Sequence, residues 1–86
     1  MSEVMQRSLL TFFYPRSKTL DHLCSWLLAD DVQTVELLVR LGPKELQKKY
    51  RVKPKTMKEI RGFFRKHRVS FSEKEAKRLA DKGVWA

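Results

Sequence analysis

The sequence predicts an all-α fold, a compact bundle of four to five short helices with a helix-hairpin-helix. Three observations lead there. Apolar residues recur at helical spacing in successive short segments, bounded by capping residues, glycine or proline. Three Gly and three Pro in 86 residues are too few turn formers for a β-rich chain. A hydrophobic content of 42% supports a folded core despite a net charge of +9. A chain this short buries only about 60% of the surface that its unfolded form exposes. One thin core follows, which excludes enzyme scaffolds built as two layers around a deep cleft.

Thr19 is the expected N-cap of the first helix, with Asp21 in the first turn where the dipole favours negative charge. Leu20, Leu23, Cys24 and Leu27 then mark one apolar face, running to about Ala29 and broken by Asp30-Asp31. Thr34 caps a short second helix carrying Val35, Leu38, Val39 and Leu41, and Gly42 ends it. Pro43 suits the first position of a third helix, Lys44 to Tyr50, with Leu46 and Tyr50 on one side.

Pro54 disfavours helix at Lys53 and pre-sets a helical turn after itself, so a tight connection of about four residues is expected there. The fourth helix places Met57, Ile60, Phe63, Phe64 and His67 on one side and frays near Arg68. Gly62 inside it costs about 1 kcal/mol relative to Ala, which implies close packing against a neighbour. Ser72-Glu73-Lys74-Glu75 reads as a capping box starting a fifth helix that ends at Gly83. Trp85 is expected to fold back onto Ala76, Leu79 or Ala80.

Three segments result: residues 1–18 as a hydrophobic N-terminal arm, 19–71 as the helical domain, and 72–86 as an extra helix with a Trp tail. The arm's apolar run, Leu9 to Tyr14, is far shorter than the roughly 20 residues a membrane span needs, and Pro15 stops it. It either packs back onto the domain or docks on a partner or a membrane surface. Trp26 is open in the same way, as a core residue or as a solvent-facing partner anchor.

Charge is unevenly placed. Residues 1–42 hold four basic and five acidic residues, whereas residues 43–86 hold fifteen basic and five acidic ones. Within residues 44–68 eleven basic residues face only Glu45 and Glu59. Such a concentrated field attracts polyanions, nucleic acid foremost; the other reading is a solvated face that only aids solubility. One Cys and two His form neither a disulfide nor a metal cluster, so no cofactor is expected. His22, Cys24 and His67 lack a carboxylate at motif spacing, and no Gly-rich nucleophile turn exists, so the chain does not read as an enzyme. Cys24 reads as a small core residue. The composition is that of a reduced, intracellular domain.

Four short words carry a resemblance. They are Asp31-Val32-Gln33-Thr34-Val35-Glu36-Leu37-Leu38-Val39, Glu45-Leu46, Lys55-Thr56-Met57-Lys58-Glu59-Ile60 and Arg68-Val69-Ser70-Phe71. In this order, after a Leu-rich first helix, they resemble the C-terminal domain of the bacterial RNA polymerase alpha subunit. The match spans residues 19–71 without a gap. Each word alone is unspecific, and the register held across all of them is the signal. Both a free-standing relative and a domain of a larger chain fit it.

The resemblance implies a DNA-binding module that grips the minor groove of A·T-rich DNA. The grip uses the first helix, the hairpin and the start of the fourth helix. It also implies surfaces for sigma factor and transcription regulators. Carried over by position, the hairpin lysine falls on Lys55, its hydroxyl neighbour on Thr56 and a glutamate on Glu59. The groove-inserting arginine falls on His22, the asparagine one turn later on Ser25, and the hairpin glycine on Lys53. An imidazole at His22 gains less from the groove potential than a guanidinium does. Lys53 is expected to adopt a left-handed conformation at a cost of about 1–2 kcal/mol.

The expected function is a small transcription-associated module binding double-stranded DNA through phosphate contacts, with weak sequence preference. Arg51, Lys53, Lys55, Thr56 and Lys58 would hold phosphates, flanked by His22 and Ser25. The alternative is a protein-interaction module mimicking the polymerase domain and binding RNA polymerase, sigma factor or a transcription regulator. RNA or ribosome binding through the same hairpin is a third reading. The expected place is the cytoplasm of a bacterial or phage-infected cell, with no membrane partner.

Overall fold

A computed structural model describes residues 3–83. Seven helices follow one another: α1 (Glu3–Gln6), α2 (Leu9–Phe12), α3 (Lys18–Ala29), α4 (Val35–Leu41), α5 (Pro43–Tyr50), α6 (Pro54–Lys66) and α7 (Glu73–Gly83). No strand forms among the described residues, and Ser8 and Thr34 make one isolated antiparallel bridge. The chain is all-α, as its periodicity predicts. The expectation for Trp85 lies outside the described residues.

Two of the seven helices are single turns in the arm, which periodicity cannot show because four residues complete one turn. Ser8 creates the second of them by accepting a hydrogen bond from the Leu10 amide at 3.2 Å. The arm is not a separate appendage. Its Leu9, Phe12 and Phe13 are fully buried. The Leu9 amide donates to the Gln33 carbonyl and the Val35 amide to the Arg7 carbonyl, both at 3.0 Å. The Arg16 guanidinium donates to the carbonyls of Leu10 and Phe13 and pairs with Asp21 at 2.8 Å, fixing the turn into α3.

Aromatic rings fill the centre. Phe12 lies 5.0 Å from Phe64 and 4.7 Å from His67, Phe13 lies 5.3 Å from Phe63, and Phe64 stacks on Phe71 at 4.4 Å. Around them pack Leu20, Leu27, Val35, Leu38, Val39, Leu46 and Ile60, all fully buried. Cys24 is buried among them, and burial pushes its thiol up to about 11.

The helix starts differ from expectation at α3. Ser17, not Thr19, is the N-cap, its Oγ accepting from the Leu20 amide at 3.2 Å. Glu59 of α6 selects Ser17 by accepting from its amide at 2.9 Å and its hydroxyl at 2.6 Å. This tertiary contact moves the cap two residues upstream. Thr34 caps α4 and Pro43 opens α5, as predicted. Gly42 joins those helices at φ +89°, and a Cβ there would stand 3.0 Å from the Ala76 Cβ and 3.2 Å from Glu73 Oε2. Glu73 in turn accepts from the Lys44 amide at 2.6 Å, supplying from α7 the cap that Gly42 lacks. Ser72 accepts from the Glu75 amide at 3.2 Å, while the Glu75 carboxylate turns to Arg78.

Three helix ends share one device. Asp31, Arg51 and Arg68 take left-handed conformations at φ 64°, 51° and 57°. Each is followed by a valine whose amide reaches back five residues. Val32 donates to Leu27 at 2.8 Å, Val52 to Gln47 at 3.2 Å and Val69 to Phe64 at 2.9 Å. This is the Schellman closure, with an apolar residue after the left-handed one. Two other expectations change here. Lys53 is extended at φ −73°, ψ 154°, as a residue before proline must be, and Arg51 carries the left-handed turn instead. Gly62 packs closely against nothing, since a Cβ there would meet no heavy atom within 4 Å.

Phe13→Ala removes a ring that joins the arm to α6. It should cost about 3–5 kcal/mol, against a total of about 4–13 kcal/mol for 86 residues. Thermal circular dichroism should show a large drop in melting temperature; an unchanged midpoint would place the arm outside the core. Cys24 titrates higher folded than unfolded, so its stabilising contribution is complete below about pH 9 and lost as pH rises through about 11. At pH 8 the folded thiol should react with a disulfide reagent about a hundredfold more slowly than the urea-unfolded one. Equal rates would contradict its burial.

Candidate nucleic-acid interface

The helix α3 turns a second stripe beside its core face: Thr19, His22, Leu23 and Trp26, again at i, i+3, i+4 and i+7. The connection between α5 and α6 lies against this stripe. Together they form a pocket of about 200 Å³, completed by Tyr50, Arg51, Val52, Lys53 and Thr56. Leu23 and Val52 are its buried apolar residues, and Trp26 beside them is 66% exposed. Arg51, Lys53 and His22 are exposed members of the lining.

One side of this pocket is braced by a polar lock. The Tyr50 hydroxyl donates to Asp30 at the end of α3 at 2.5 Å, and Lys49 lies 4.0 Å from the same carboxylate. Partial burial, then the bond to Asp30, push the Tyr50 phenol up to about 12. The Lys49 ammonium sits 5.6 Å from the Tyr50 ring centroid. The end of α5 is thereby held to the end of α3, and the connection that follows has a fixed direction.

The pocket brings together His22, Arg51, Lys53 and Thr56 of the residues singled out in the sequence. Thr56 is only 5% exposed, so it lines the pocket from beneath. Lys55 is exposed in the first turn of α6 outside this lining, and Lys58 faces a neighbouring cleft on the other side of the connection. Ser25 is exposed but lies in neither lining, and its Oγ donates to the Asp21 carbonyl at 3.3 Å. Glu59 is taken up by Ser17. Sequence reasoning left Thr19, Tyr50 and Trp26 out of the site. The second i, i+3, i+4, i+7 stripe on α3 was the signal available for Thr19 and Trp26; Tyr50 had none.

Electrostatics single out the start of α6. Among the described helices of seven or more residues, α6 alone begins with neither a capping contact nor an acidic residue in its first turn. Its N-cap position is Lys53, and Lys55 follows within the turn. All eleven basic residues between 44 and 68 are exposed. Among the described residues, Lys49 alone of these lies within ion-pair distance of a carboxylate. Free amides, the helix dipole and unpaired cations therefore point the same way, an arrangement suited to an anion.

No protein-family model, curated protein or solved structure matches the chain. Among the described residues, no helix is long and apolar enough to cross a membrane.

Arg51 holds its left-handed turn against a steric cost of about 1–2 kcal/mol that glycine does not bear. Arg51→Gly should therefore raise the melting temperature by roughly 4–8 °C, as about 1 kcal/mol does in a domain of this size. A lowered melting temperature would mean that the arginine side chain stabilises the fold.

Proposed function

We propose that the chain is a small transcription-associated nucleic-acid-binding module, similar in kind to the C-terminal domain of the bacterial RNA polymerase alpha subunit. It acts in the cytoplasm of a bacterial or phage-infected cell. It grips the phosphates of double-stranded DNA at the start of α6 and the connection before it. The observation that carries this reading is the uncapped, acid-free N-terminus of α6 between Lys53 and Lys55. A phosphate there accepts from backbone amides and is flanked by Arg51 and Lys58. His22 and Trp26 stand across the pocket, where a sugar or base edge follows the phosphate. Such contacts position the protein and carry little sequence information, so preference is weak.

A second reading is favoured by Trp26. A ring 66% exposed beside an apolar pocket is the kind of anchor that protein interfaces use. In that reading the pocket binds RNA polymerase, sigma factor or a transcription regulator.

A fluorescence titration of A·T-rich and G·C-rich duplexes at three salt concentrations tests both. Four cations at the connection should give a log–log salt slope of about 3 to 4 at least, and Lys55→Ala should lower it by about one. Trp26→Ala should leave that slope unchanged while abolishing any nuclease-resistant capture of polymerase or sigma factor. Absence of duplex binding even at low salt would rule out the DNA reading and leave the protein partner.

A further inference from the structure

Gly62 stands in the middle of α6 with nothing inside the molecule that requires it. A Cβ there would meet open space, and a glycine within a helix costs about 1 kcal/mol relative to alanine. Folding alone favours alanine at this position. The surroundings point outward. Lys58, Arg61 and Arg65 stand at i−4, i−1 and i+3 from it, and with Gln47, Pro54 and Met57 they line an open cleft of about 470 Å³. The three cations are exposed, and none is within ion-pair distance of a carboxylate among the described residues. Pro54 belongs both to this cleft and to the first turn of α6, so the cleft continues directly from the uncapped helix start.

We propose that this outer face of α6 is a second contact for the nucleic-acid backbone, with Gly62 as its point of closest approach. The proposal rests on the DNA reading above and extends the contact to Arg61, Gly62 and Arg65. The missing side chain leaves a notch in the helix surface, and Arg61 and Arg65, one helical turn apart, stand together along one flank of it. A phosphate entering it comes within reach of two planar forks on that flank, the bidentate geometry that arginine offers and lysine does not. A protein partner fits this face less well, because its lining carries three exposed cations, no carboxylate and no aromatic anchor. Charge complementarity assigns it to a polyanion.

The test titrates the A·T-rich duplex into the unaltered chain and into Gly62→Ala, Arg61→Ala, Arg65→Ala, Lys55→Ala and Lys77→Ala at three salt concentrations. With the outer face engaged, the unaltered chain should show a slope of about 5 to 6, rather than the 3 to 4 of the connection alone. Arg61→Ala and Arg65→Ala should each lower it by about one. Gly62→Ala should weaken binding by roughly tenfold while raising the melting temperature by about 4–8 °C. Lys77→Ala, on α7, should leave the slope unchanged. Unchanged affinity for Gly62→Ala, or a lowered melting temperature, overturns the close approach. Full slopes for both arginine variants beside a reduced one for Lys55→Ala overturn the outer face and leave the connection standing. An equal loss for Lys77→Ala reduces the effect to net charge and overturns the assignment. No duplex binding by the unaltered chain overturns both readings.

Discussion

All five phenylalanines of the chain meet in one cluster, and the rest of the structure is arranged around it. Phe12 and Phe13 come from the arm, Phe63 and Phe64 from α6, and Phe71 from the segment before α7. A domain of this size has a single thin core, so each large side chain in it carries much of the burial. The rings bury a large area each and join distant parts of the chain to the buried Leu, Val and Ile residues. The arm crosses to α4 and α6 to bring its two rings there. Its backbone pairing with residues 33 and 35 and the Arg16 clasp on its carbonyls hold that crossing in place.

Carboxylates then organise the helix starts. Glu59 reaches from α6 to α3, and Glu73 reaches from α7 to α5. Asp30 ties α3 to α5 through Tyr50. Each contact satisfies a donor, and none of these three carboxylates pairs with a cation of α6. Among the described helices of seven or more residues, α6 is the one that begins with neither a capping side chain nor an acidic residue in its first turn.

One of the three turns closed by a valine, that at Arg51, lies at the same surface. A chain with three glycines has few residues that adopt a left-handed conformation without strain. It uses one glycine at Gly42, where a Cβ would collide with α7, and places Asp31, Arg51 and Arg68 at the other turns. Each turn is closed by a reaching valine amide, which offsets part of the steric cost. Arg51 thus combines a strained backbone with an exposed cation in the pocket lining. Gly62 is its converse, a flexible residue placed where the backbone needs none.

The sequence by itself determined the helical class, the boundaries of α4 to α7, the apolar face of α3, the buried Cys24 and the concentration of charge between residues 44 and 68. These are local properties: a period of 3.6, a proline's fixed φ and a run of lysines act over a few residues. Only the tertiary structure decided that the arm belongs to the core, that Ser17 rather than Thr19 caps α3, that Arg51 rather than Lys53 turns left-handed, and that Trp26 faces solvent. Each of these depends on a partner distant in the chain or on the exact closure of a helix end, such as Glu59 for Ser17 and the Gln47 carbonyl for Val52. The periodicity of one helix carries no record of which residues from other helices will arrive to satisfy it.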